Sequence, residues 1–101
     1  MTRDGCSLGR ETAFKIREQV ERGRRLDRAL GSCIQGVEAR ERAFAHELSY
    51  GVTRLQGRLD HLLSPHVHRG VDTLDPNVRE VLRLAAYQLL YMHSVPDYAA
   101  V

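Results

Sequence analysis

The chain has 101 residues, room for one domain, and its 43% hydrophobic and 28% charged residues suit a folded chain better than a disordered one. No apolar run approaches the roughly 18–20 residues of a membrane-spanning helix, and the opening MTRDGCSLGRETAF has no apolar h-region, so the expected location is the cytoplasm, away from membranes. The net charge of +2 is too small to argue for nucleic acid by itself.

The first helical pattern lies in RETAFKIREQVERG, where Ala13, Ile16 and Val20 recur at steps of three and four, with Phe14 widening the stripe. Residues 1–9 ahead of it read as a flexible N-terminus. Gly23 is placed to end the helix as a left-handed cap. A shorter helix follows in RLDRALGSCIQG, carried by Leu26, Ala29, Leu30, Cys33 and Ile34 and closed by Gly36.

From Glu38 to Leu63 the apolar positions form one continuous face, which Ser64-Pro65 stops. Gly51 sits on that face, where a glycine costs about 1 kcal/mol relative to alanine, so another helix is expected to cross closely there, with the small pair Ala85-Ala86 as the matching surface. PHVHRGVDT reads as a loop or a brief helical turn. The last complete helix starts with Asp75 as N-cap and Pro76 at the first helical position, and ends by His93 and Pro96. Its expected buried stripe is Val78, Val81, Leu82, Ala85, Leu89 and Met92. Asp97 could begin a further helix at Tyr98–Val101. No segment alternates in the manner of a strand, so the fold class is all-α.

A search for chemistry is mostly negative. There is no glycine-rich phosphate loop, no GxSxG, no HExxH and no paired CxxC, so no catalytic residues are assigned. Cys6 and Cys33 lack metal spacing and are expected to be free thiols, Cys33 as a small buried group. His61, His66 and His68 read as a polar loop rather than a metal triad, and no metal is assigned.

The arginines remain. Residues 1–28 hold eight basic side chains against five acidic ones, a local balance of +3 that leaves −1 for the rest of the chain. Lys15 is the sole lysine among 15 basic residues, and arginine's planar fork suits phosphate, although a GC-rich coding sequence would give the same bias. Arg3, Arg10, Arg17 and Arg24 recur every seven residues, close to one helix face. Arg10 and Arg17 should line up on one helix, with Arg24 and Arg25 just past its end, a cluster able to grip an RNA backbone.

Two longer stretches, FAHELSYGVTRLQGRLDHLL and LDPNVREVLRLAAYQLLYMHSVPDYAAV, resemble the NusB/RsmB helical RNA-binding domain, and the likeness runs back to about Arg10. YGVTR and AYQLLYMHSVP are most similar to the N-terminal domain of the RsmB (Sun) ribosomal RNA cytosine-5 methyltransferases. The resemblance implies a NusB-like helical bundle over residues 10–101 that lacks its last helices. It also implies an N-terminal fragment of an S-adenosylmethionine-dependent 16S rRNA (cytosine-C5) methyltransferase. Such a fragment would position rRNA for a catalytic domain outside the chain, with S-adenosylmethionine bound there and no cofactor here. The alternative is a stand-alone NusB antitermination factor that binds boxA-type RNA and a small-subunit ribosomal protein. Under either, Arg10, Arg17, Arg24 and Arg25 are the candidate RNA contacts. Arg54 and Arg83 match motif positions but read as structural partners of Glu47, Asp60 or Glu80. Absent helices should leave part of the apolar face open and the chain marginally stable or self-associating.

Overall fold

Four helices joined by short connections account for most of the described residues, Ser7–Met92, of the computed structural model: α1 (Ser7–Glu21), α2 (Leu26–Cys33), α3 (Ala39–Leu63) and α4 (Pro76–Tyr91). Two 3-10 turns, Ser64–His66 and Val71–Thr73, lie between α3 and α4, and no strand occurs among the described residues. The fold is all-α, as the absence of strand alternation required. The expectations attached to Arg3, Cys6, His93, Pro96 and Asp97 fall outside the described residues. The chain divides into two units, Met1–Tyr50 and Gly51–Val101.

In the first unit α1 begins at Ser7, so Ser7–Gly9 are already helical ahead of Arg10. Ala13 and Ile16 are buried, and Thr12 returns its hydroxyl to the Leu8 carbonyl at 2.8 Å. A glycine at position 9 is needed for contact with α3. A Cβ there would lie 2.9 Å from Phe44 Cδ1 and 3.1 Å from the Glu41 carbonyl oxygen. The end of α1 follows from Gly23, whose φ of 100° only glycine adopts without strain. Gly23 N–H donates to the Val20 carbonyl (2.9 Å) and Arg24 N–H to the Gln19 carbonyl (3.0 Å), the paired bonds of a Schellman cap. That cap turns the chain directly into α2, which packs on α1 and buries Ala29. Ala45 and Leu48, from the first half of α3, are the other buried apolar side chains among the described residues of this unit.

In the second unit α3 continues but is not straight. Leu55 (φ −105°, ψ 16°) leaves helical geometry between Gly51 and Gly57, so the apolar face expected to be continuous is kinked. Val52 and Leu59 stay buried on either side of the kink. The start of α4 is as its sequence required, with Asp75 accepting from the Asn77 N–H at 2.9 Å and Pro76 following it.

Two expectations about α4 are corrected. A Cβ at Gly51 would run into the ring of Tyr87, so this glycine admits an aromatic side chain rather than the Ala85-Ala86 surface. The close backbone approach expected there occurs instead at Gly9. The buried stripe of α4 also differs from the expected one. Ala85 and Met92 are buried, whereas Val78, Val81 and Leu89 are exposed by 45–49%, and Leu90 by 50%. In their place α4 buries Glu80, Arg83, Leu84, Tyr87 and Gln88.

Hydrogen bonding makes that choice possible. Arg83 donates through Nε and Nη2 to the two oxygens of Asp60, each at 2.7 Å, and its Nη1 lies 3.7 Å from Glu80. A two-pronged guanidinium–carboxylate pair is strong enough to bring an arginine inside. The Gln88 amide donates to the Leu84 carbonyl one turn back in its own helix, at 3.1 Å. Arg58 on α3 donates to the Tyr91 hydroxyl at 2.8 Å, and the Tyr91 ring packs on Tyr87.

Candidate nucleic-acid interface

The corner between α1 and α2 carries four exposed arginines, Arg22, Arg24, Arg25 and Arg28. Arg22 pairs loosely with Glu18, one helical turn back, at 3.8 Å. Arg25, the N-cap of α2, extends into solvent with its Nε 3.5 Å from Asp27. Both pairs are solvent-exposed and therefore weak, so the two cations stay available to other anions. Arg28 is exposed on the next turn.

Arg24 is held differently. Its Nη1 donates to Gln19 Oε1 at 2.5 Å and to Ser32 Oγ at 3.0 Å, while its backbone N–H caps the Gln19 carbonyl. The Gln19 amide is oriented in turn, because its Nε2 donates to Cys33 Sγ at 3.3 Å and so turns its oxygen toward Arg24. Ser32 Oγ donates to the Ala29 carbonyl at 3.3 Å. The Arg24 side chain is exposed, yet one of its nitrogens is fixed from both α1 and α2. Cys33, expected to be buried, is a half-buried free thiol that serves as an acceptor.

The four arginines singled out by sequence do not form one open row. Arg10 is half-buried, with its guanidinium 5.5 Å from the Phe44 ring centroid, a cation–π distance. Arg17 is fully buried, and its Nη2 lies 3.7 Å from Glu21. A seven-residue spacing aligns Arg17 with Arg10 on the helix but cannot say whether packing covers that face. Arg17 is thus covered where Arg10 is half-buried. Arg24 and Arg25 do stand together at the corner.

Elsewhere, Arg83 takes the structural role expected of it, and Arg54 is exposed. His61, His66 and His68 are all exposed, and no metal-holding group of His, Cys, Asp and Glu occurs among the described residues. Gln19 and Ser32 were missed by reasoning from sequence. The available signal was the cap itself: a Schellman glycine at 23 ties residue 24 back to residue 19. No helix among the described residues is long and apolar enough to cross a membrane.

Comparison with known proteins bears on this surface. The family model described as NusB family matches residues 8–101. The transcription antitermination protein NusB of Xanthomonas oryzae pv. oryzae (strain PXO99A) is 44% identical over 62 residues, covering 61% of this chain and 40% of the relative. The NusB of Xanthomonas campestris pv. campestris (strain B100) is also 44% identical over 62 residues, covering 61% of this chain and 39% of the relative. A candidate methyltransferase of Mycobacterium tuberculosis (strain CDC 1551 / Oshkosh) is 41% identical over 56 residues, which cover 55% of this chain and 12% of that protein. The chain therefore matches well under half the length of each of these relatives. No solved structure matches it.

Proposed function

Since the chain belongs to the NusB family, we propose that it is an RNA-binding module whose contact surface is the α1–α2 corner. The observation that carries this reading is the exposed guanidinium of Arg24, held in place and flanked by Arg25, Arg22 and Arg28. Arginines in such an arrangement contact phosphate oxygens and fix an RNA in position without reading its bases. Arg10, beside Phe44, would extend the contact along α1.

In the more specific reading the chain is the N-terminal part of a 16S rRNA (cytosine-C5) methyltransferase and positions rRNA for its catalytic domain. The YGVTR and AYQLLYMHSVP motifs and the mycobacterial relative support it. In this reading S-adenosylmethionine binding and methyl transfer belong to a further, catalytic domain. The second reading is an antitermination factor that binds boxA-type leader RNA and a small-subunit ribosomal protein in the cytoplasm. The Xanthomonas NusB relatives favour it.

Fluorescence anisotropy with a labelled 16S rRNA fragment and a labelled boxA-type RNA tests both levels. Replacing Arg24 and Arg25 together by glutamate is expected to weaken binding at least tenfold at low salt. Unchanged affinity for both RNAs would overturn the RNA-binding surface. A clear preference for one RNA selects between the two specific readings.

A further inference from the structure

We infer that Gln19 and Ser32 are positioning residues for RNA binding, which set the Arg24 guanidinium in the orientation that meets a phosphate. The inference rests on the RNA-binding reading above and adds the means by which one cation is prepared for it. Arginine at a surface normally spreads over many rotamers, and fixing it on binding costs entropy. Here that cost is met within the folded chain. The Schellman cap fixes the Arg24 backbone, Gln19 Oε1 and Ser32 Oγ both accept from Nη1, and Cys33 Sγ orients the Gln19 amide. A guanidinium has five donors in a planar fork, and the bonds to Gln19 and Ser32 use Nη1 alone, leaving the Nε and Nη2 edge for a two-pronged contact with phosphate.

The acceptors are also of the right kind. Gln19 and Ser32 are neutral, so they hold the arginine without cancelling its charge. The exposed neighbours Arg22 and Arg25 face carboxylates instead. Arg24 is thus both ordered and uncompensated by its fixing partners, the combination that phosphate binding rewards.

A staple that merely joins α1 to α2 would use the same hydrogen bonds, so the test separates the two roles. The 101-residue chain and its R24A, Q19M, Q19E and S32A variants are titrated with a fluorescein-labelled single-stranded RNA of mixed sequence, about 20 nucleotides long, across a salt series. Thermal unfolding is followed in parallel by circular dichroism. R24A is expected to weaken binding about tenfold and to reduce the salt slope by roughly 0.7, the value for one phosphate contact on a single strand. Q19M keeps every charge, so its expected effect is an affinity loss of about threefold to tenfold. S32A should lose less, since the Gln19 bond remains.

Q19M is the decisive variant, because it removes the acceptor without changing the charge. A structural staple predicts that Q19M lowers the melting temperature and leaves RNA affinity unchanged. Q19E keeps an acceptor for Arg24 but adds a negative charge beside it, so its RNA affinity falls under either role. If R24A weakens binding while Q19M does not, the positioning role is overturned and the RNA surface stands. If R24A has no effect, the RNA-binding role of Arg24 is overturned, and the positioning role with it.

Discussion

Arg24 and Arg83 are the same residue type in opposite situations. Arg24 lies in the first unit at an exposed corner, held on one nitrogen by two neutral acceptors. Arg83 lies in the second unit with its side chain 4% exposed, both prongs spent on Asp60 and a third nitrogen near Glu80. One is held by neutral groups and keeps its charge, and the other has it neutralised inside. The lesson is that the number of arginines in a segment says little about binding until the partner of each is known. Arg17, on the expected binding face and fully buried, makes the point most plainly.

The largest effect should come from removing the buried cation. R83M leaves the Asp60 carboxylate without its two-pronged donor and Glu80 buried beside an apolar chain. It is expected to cost about 3 kcal/mol or more, a large share of the stability of a domain this size, in urea unfolding followed by circular dichroism. A loss below about 1 kcal/mol would mean that the pair is not what holds α4 in place.

Next is G51A, which puts a methyl group where the Tyr87 ring lies. Overpacking of this sort costs about 1–3 kcal/mol, and adding Y87L should restore part of it in the same measurement. Full additivity of the two changes would show that Gly51 and Tyr87 do not share the space.

The smallest effect on stability is expected from the exposed apolar residues of α4. V81K or L89K should change unfolding free energy by roughly 0.5 kcal/mol or less, because neither side chain is buried. The same variants should reduce any concentration-dependent association seen by sedimentation velocity. A loss of several kcal/mol would place that face in the core, where its periodicity alone would put it.

Much of the fold was legible because it is written in local chemistry. Gly23 ends α1 because a left-handed residue is needed there, and Asp75-Pro76 starts α4 because an acceptor and a missing N–H suit a helix N-terminus. The candidate site was half legible. Arg24 and Arg25 could be placed past the end of α1 by counting. Gln19 and Ser32 could not, since they meet Arg24 only when α2 folds back on α1.

What the sequence by itself determined was the helical class, the helix ends that carry a glycine cap or an Asp-Pro start, and the NusB-like motifs. These depend on interactions a few residues apart, or on patterns read directly from residue identity. The tertiary structure alone decided which face of α4 is buried, which glycine meets a backbone and which a tyrosine ring, and which arginines stay at the surface. Periodicity ranks faces by apolar content. A bidentate pair such as Arg83–Asp60, made across two helices by residues 23 positions apart, lets a polar face go inside and leaves valines and leucines out.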